Sequence, residues 1–358
     1  MQITIRSVPE AQKRNPKEVL SKPLGFGRVF ADRMFRMRWN EKKSWHDAEI
    51  CAYEPLVLDP AALIFHYAQE IFEGLKAYRL PDGGVGLFRP KLNAERMNAS
   101  ARRLVMPEIP VEAQMQALTM LLRELKDWAP SAEGSSLYIR PTMIGVTPVL
   151  GVRPASDYLY YIICSPVSGY FEKGFAPVKV ATSEEYVRAA AGGLGASKAG
   201  ANYAASLLAA KVAKTKGYDQ VVWLDAKEHR FIEEMGGMNI FFVYGKQLLT
   251  SPLTGSILPG ITRDSILKLA PEMDLEVEEC RLSVDKVTRD INSGKITEIF
   301  ACGTAAVVTA VSIFSHKGTD CQVGNGEPGP VTTRLYNQLT GIQTGKLADT
   351  HGWTFRVL

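Results

Sequence analysis

Residues Tyr158 to Cys164 read Tyr-Leu-Tyr-Tyr-Ile-Ile-Cys, apolar or aromatic at every position. A short continuous run of this kind is the mark of a strand buried inside a sheet. The chain then changes character: Ser165-Pro166-Val167-Ser168-Gly169-Tyr170-Phe171-Glu172-Lys173-Gly174 clusters Pro, Ser and Gly between two strand patterns. That cluster reads as a linker, drawn over residues 167–176. It divides the 358 residues into a small α/β domain over 1–166 and a larger domain over 177–358, as expected of a chain too long for one ordinary core.

The rest of the pattern mixes element types. After the turn Pro81-Asp82-Gly83-Gly84, a strand ends at Leu87-Phe88-Arg89. A helix is predicted over Asn93–Leu104, with Met97, Ala101 and Leu104 on one face, and another over Val111–Trp128, closed by Pro130. Further strands are predicted at Ser136–Ile144, Val178–Thr182, Gln220–Leu224, Asn239–Tyr244 and Ile296–Ala301. Helices are predicted at Ala204–Lys216 and Thr262–Ala270. Strands do not alternate regularly with long helices, so the fold class is α+β with mixed sheets in both domains, and not a doubly wound sheet.

Composition excludes several classes. The hydrophobic fraction of 46% is enough for two cores, and 22% charged residues is that of a soluble globular chain. A net charge of +4 from scattered Lys and Arg gives no nucleic-acid stripe. The five cysteines are far apart with no CxxC pair, and the five histidines show no metal-ligand spacing, so neither a metal site nor a disulfide framework is expected. No run is apolar enough to span a membrane, and the first twenty residues lack a signal-peptide core; a cytoplasmic setting is the expectation.

Gly192-Gly193-Leu194-Gly195-Ala196-Ser197-Lys198-Ala199-Gly200 looks at first like a phosphate loop. It satisfies neither GxxxxGK[ST] nor GxGxxG, and a lysine in a Gly/Ala run is ordinarily a solvated loop lysine. Gly195, Ala196, Ala199 and Gly200 leave little steric bulk beside Lys198. By composition nothing separates Glu233 from Glu234, Arg96 would pass for a surface arginine, and Pro259-Gly260 and Gly303-Thr304 for loop punctuation.

Taken together, these stretches resemble the branched-chain aminotransferases, a family of fold-type IV enzymes that depend on pyridoxal 5′-phosphate (PLP). The lysine motif GASKAGANYAASL is joined, in order, by FGRVFADRMF (26–35), HYAQEIFEGLKAYR (66–79), LFRPKLNAERM (87–97), LYIRPTMIG (137–145), EEMGGMNIFF (233–242), LPGITRDSIL (258–267) and CGTAAVVTAV (302–311). The resemblance implies a two-domain architecture like that of D-amino acid aminotransferase. It implies that Lys198 is the Schiff-base lysine and acid/base, that Glu234 faces the pyridine nitrogen, and that Tyr203 bonds the ring's 3′-oxygen. Arg96, the N–H groups of Ile261 and Thr262, and Thr304 would take the phosphate, the last serving the substrate carboxylate with Ala305.

By the same resemblance Phe26, Tyr67, Phe72, Tyr138 and Tyr170 line the side-chain pocket, and Arg140 receives a second carboxylate. The implied reaction moves the amino group of L-leucine, L-isoleucine or L-valine to 2-oxoglutarate, in ping-pong fashion, in a homodimer. A D-amino acid aminotransferase or an aminodeoxychorismate lyase would keep Lys198, Arg96 and Glu234 but not the substrate motifs. Two departures stand out: Ala305-Ala306-Val307-Val308 replaces the redox CxxC of some members, and Gly237 stands where others carry Thr.

Overall fold

The computed structural model describes residues 1–168 and 175–358. Tyr170, and most of the segment read as a linker, lie outside the described residues. The chain forms two compact units, and the division is not a single cut in sequence. The first unit comprises Met1–Glu172, Ser197–Gly200 and Gly341–Leu358, and the second Lys173–Ala196 and Ala201–Thr340.

The first unit contains strands β1 (Thr4–Ile5), β2 (Arg33–Asn40), β3 (Ser44–Ala52), β4 (Glu70–Phe72), β5 (Leu75–Arg79), β6 (Val85–Phe88), β7 (Ser136–Gly145) and β8 (Asp157–Val167). Its helices are α1 (Pro16–Leu20), α2 (Leu63–Tyr67), α3 (Pro90–Arg103) and α4 (Val111–Glu124). The sheet runs β1-β3-β2-β8-β7-β5-β6 and ends on a C-terminal strand, Thr354–Arg356, with β4 also paired to β7. Alternate residues of β7, namely Leu137, Ile139 and Met143, are wholly buried and join Leu118, Leu121 and Leu122 of α4 and Met97 and Ala101 of α3 in one core. Because strand side chains alternate, Tyr138, Arg140 and Thr142 must face the other way.

Two prolines sit inside this sheet without breaking it. Pro141 falls where β7 exchanges one neighbour for another: Ile139 pairs with Leu75 of β5, Thr142 with Phe72 of β4. Pro166 pairs with Leu137, but β2 runs alongside β8 only as far as Ile162, so the far edge there needs no strand donor. Ser165–Val167, placed by composition among the linker residues, therefore completes β8.

The second unit contains β9 (Val178–Thr182), α5 (Gly200–Thr215) after its first residue, β10 (Gln220–Leu224), β11 (Ile232–Met235), β12 (Met238–Tyr244), β13 (Gln247–Thr250), α6 (Ile261–Leu269), β14 (Glu276–Glu279), α7 (Val284–Asn292), β15 (Glu298–Gly303), β16 (Val307–His316), β17 (Thr319–Gln322) and α8 (Pro330–Gln343) as far as Thr340. Its sheet runs β11-β10-β9-β16-β15-β12-β13-β14, and β11 also pairs with β12, closing a ring of strands. The closure rests on a tight hairpin: Met235 pairs with Met238 across Gly236-Gly237, and Gly236 has φ 57°. Phe241 and Phe300, stacked at 5.1 Å, fill the interior. Both sheets mix parallel and antiparallel pairs, which is the expected α+β class.

Candidate active site

In the first unit Phe72, Tyr138 and Arg140, three of the candidate residues, gather on the sheet face opposite the helical core. Register sets this: Tyr138 pairs with Lys76 of β5, and Thr142 with Phe72 of β4, so those side chains share one face with Arg140. Phe26 packs edge-on against Tyr138 at 5.0 Å. The Arg140 guanidinium donates to the Tyr138 hydroxyl at 2.8 Å and lies 4.6 Å from the centre of the Phe72 ring. Lys76, which sequence reasoning passes over, is buried here, and burial pushes its amine down to about 8.

Lys198 belongs to this unit and is not a solvated loop lysine. Its carbonyl accepts from Phe72 N–H at 3.0 Å, its own N–H donates to the Ser100 hydroxyl at 2.9 Å, and its Nζ lies 5.1 Å from the Phe72 ring centre. Ser100 and Arg96 are both on α3, one turn apart, so the helix presents its cation on the lysine's side. Arg96 is no surface arginine either. Its Nε and Nη2 grip Glu73 at 2.8 and 2.9 Å, while Asn93 donates to Glu73 at 2.8 Å. Burial works to raise the Glu73 acid, but Arg96, with Lys198 and Asn93, outweighs it and holds the group below the ordinary carboxylate range.

Tyr67 is placed elsewhere. It ends α2, donates to the Leu150 carbonyl, and stands with Phe65, Leu150 and Val152 among the exposed apolar residues of the unit. Two of the small residues around Lys198, Gly195 and Gly200, have close neighbours within the protein. A side chain at Gly200 would collide with the Glu70 carboxylate, and one at Gly195 with the Ser256 carbonyl, so the space is filled by the protein itself.

In the second unit, strand alternation separates the two candidate glutamates. Glu234 is buried, accepts from Asn239 at 3.2 Å and forms an ion pair with Arg188, whose side chain is also buried. Glu233 points to the other face, accepts from the Ser256 hydroxyl at 2.5 Å, and lines a cavity of about 510 Å³ with Phe231 and Arg281. Burial raises its acid, with Ser256 and Arg188 pulling the other way.

Sequence reasoning misses Arg188, since an arginine in an unremarkable loop carries no signal. It also donates to the carbonyls of Gly195 at 3.2 Å and Ser256 at 2.5 Å, tying the Glu234 carboxylate to the segment before Lys198. Tyr203 is on α5, its ring 3.5 Å from the position a Cβ on Gly237 would take. Ile261 and Thr262 open α6, whose N-cap Gly260 supplies no side-chain acceptor, so the first N–H groups are left for another anion. Thr304 and Ala305 form the turn between β15 and β16, and the next strand starts at Val307 with φ 62°. A β-branched residue in the left-handed region is strained, and such strain gathers at functional turns.

Among the described residues no cluster of His, Cys, Asp and Glu could hold a metal ion, and no helix is long and apolar enough to cross a membrane. A carboxylate paired with an arginine suits a protonated ring nitrogen, and an uncapped helix start suits a phosphate. The residues present therefore fit PLP.

Residues 70–314 match the family model of the class IV aminotransferases. The chain belongs to that family, and within it to the branched-chain-amino-acid aminotransferases. The probable branched-chain-amino-acid aminotransferase of Streptomyces coelicolor is 51% identical over 354 residues, covering 98% of each chain. The branched-chain amino acid aminotransferase of Escherichia coli shares the fold at a TM-score of 0.74 and 31% identity, covering 90% of this chain and 99% of that one. The branched-chain amino acid aminotransferase of Thermobaculum terrenum, solved in its PLP form, aligns at a TM-score of 0.73 and 26% identity, covering 90% and 98%. This class IV aminotransferase thus shares with solved relatives the two-domain fold that its motifs implied.

Proposed function

We propose that the enzyme transfers the amino group of L-leucine, L-isoleucine or L-valine to 2-oxoglutarate, reversibly and by a ping-pong route, using PLP attached to Lys198. The observation that carries this reading is full-length identity of 51% to a branched-chain-amino-acid aminotransferase, with every quoted motif in order. When bound, the cofactor supplies the electron sink that lets an amino acid's α-proton leave.

The chain's own residues do the rest. Lys198 anchors the cofactor and, once released, moves the proton at the substrate α-carbon. Glu234, kept charged by Arg188, holds a proton on the ring nitrogen, and Tyr203 donates to the 3′-oxygen. Arg96, oriented by Glu73, takes the phosphate together with Thr304 and the N–H groups of Ile261 and Thr262. Phe26, Phe72 and Tyr138 offer apolar walls to an aliphatic side chain, and Arg140 offers its guanidinium to the second carboxylate of glutamate. Thr304 and Ala305 receive the α-carboxylate. Tyr67 and Tyr170 are assigned to the substrate by resemblance alone. The exposed apolar group of Phe65, Tyr67, Leu150 and Val152 supports a homodimer, and a cytoplasmic setting goes with the same reading.

Absorbance tests it. Protein loaded with PLP is expected to show a visible band that bleaches with L-leucine and not with D-alanine, and Lys198→Ala is expected to lose the band and transamination together. A band answering only to D-alanine would move the function to the D-amino acid branch, and no band at all would end the cofactor assignment.

A further inference from the structure

Among the described residues, Arg140, on the site face of the first unit, has no carboxylate among its direct hydrogen-bond partners. Arg140 gives one N–H to Tyr138, and its Nε is buried with no acceptor among the described residues. Lys198 brings a second cation to the same Phe72 ring. Of the nearby carboxylates, Glu73 is already committed to Arg96, Asn93 and the Gly74 N–H.

Glu70 is the one left over. It pairs with Ile144 of β7, two residues along from Phe72, so it stands on the same face as Phe72 and Arg140. Its carboxylate occupies the space beside Gly200, next to the bridge between Ile71 and Ala199 that holds the Lys198 segment in place. Glu70 is half-buried, and among the described residues its side chain makes no close ion pair or hydrogen bond. Burial raises its acid, and Arg140 is the charge that pulls the other way.

We propose that Glu70 determines specificity, acting as a resident counter-charge that lets the Arg140 pocket accept an uncharged aliphatic side chain and limits its grip on a second carboxylate. The inference rests on the reading that Phe72, Tyr138 and Arg140 receive the substrate side chain. An arginine cannot shed its charge. An aliphatic group laid against it strips water from a cation that only another charge can then balance. A carboxylate on the same sheet face supplies that balance without contact, because screening is weak in a partly buried place. For a dicarboxylate the sign reverses: Glu70 repels the incoming carboxylate that Arg140 attracts. One residue therefore sets the ratio between the two substrate types that a transaminase of this kind must alternate between.

The near-isosteric Glu70→Gln removes the charge and keeps the volume. Calorimetric binding of glutarate and of 4-methylpentanoate to the PLP-loaded enzyme reads the effect directly, beside KM and kcat for L-leucine and L-glutamate. Glutarate is expected to bind roughly three- to tenfold more tightly and 4-methylpentanoate correspondingly more weakly, the size of a charge interaction across a partly screened gap. The larger kinetic change should fall in KM, and Glu70→Asp should return the ratio toward wild type. An unchanged ratio in Glu70→Gln, whether both ligands keep their affinity or both weaken together with a lower melting temperature, overturns the proposal and leaves Glu70 a packing residue. Should the wild-type enzyme bind neither ligand and not turn over L-leucine, the pocket assignment itself falls, independently of Glu70.

Discussion

Each unit of the molecule buries one glutamate against one arginine, and the two pairs are built in opposite senses. In the first, Glu73 accepts from Arg96, Asn93 and the Gly74 N–H, and on the proposed reading the arginine is the partner that meets a ligand. In the second, Arg188 is tied to Glu234 and to the carbonyls of Gly195 and Ser256, and on the proposed reading the acid is the partner that meets the ligand. A buried ion pair says little about stability by itself. What separates the two pairs is the charge each is left with when its partner is removed, since an arginine keeps its charge and a carboxylate can take up a proton.

The largest effect expected from breaking this comparison comes from Glu73→Ala. It strands the buried Arg96 guanidinium, which cannot deprotonate, and should destabilise the enzyme by about 3–5 kcal/mol in urea unfolding. The wild-type acid is held below its unfolded value, so the stability it adds is present above the unfolded pKa and is lost as pH falls through the folded one. The gap between wild type and Glu73→Ala should therefore narrow on acidification. A gap of under about 1 kcal/mol at neutral pH would show that Asn93 and Arg96 are indifferent to the acid.

Next comes Arg188→Met. It strands a carboxylate, and a carboxylate can escape its position by taking up a proton. The loss should be smaller, about 2 kcal/mol, and PLP affinity should fall with it as the acid proposed to meet the ring nitrogen becomes neutral. Equal destabilisation by the two variants would erase the asymmetry between the pairs. A loss of stability with PLP affinity intact would leave Arg188 a loop clamp and nothing more.

Much of this is open to the sequence. The helix carrying Arg96 reads as Asn93–Leu104, and the structure starts it at Pro90, because proline is welcome at a first helical position where a pattern reader takes it as a break. The strand Tyr158–Cys164 is legible but stops short at Ser165-Pro166, since one-dimensional reading cannot see that β2 has already ended beside it. The motif residues are legible as types and spacings. What stays hidden is which of them share a face: Lys76 and Glu70 join Arg140 only through strand register, a long-range property that no local pattern encodes. Arg188 and Glu73 are illegible for a different reason, since their work is done on other side chains and not on a ligand.

Glu233→Gln offers the finest test, because Glu233 sits one residue from Glu234 on β11 and lacks a direct arginine partner, relying on the Ser256 hydroxyl. Burial raises its acid above the unfolded value. Folding then carries a penalty that is absent below the unfolded pKa, grows as pH rises, and is complete above the folded pKa. Glutamine keeps an acceptor for Ser256 and has no charge to desolvate. The variant should therefore be more stable than wild type at neutral pH, by less than about 1 kcal/mol once solvent screening at this half-buried site is allowed for, and no more stable in acid. A variant that is less stable at neutral pH would mean that the Glu233 charge is answered by Arg188 after all. The arginine would then serve both glutamates of β11, and its assignment to Glu234 alone would have to be withdrawn.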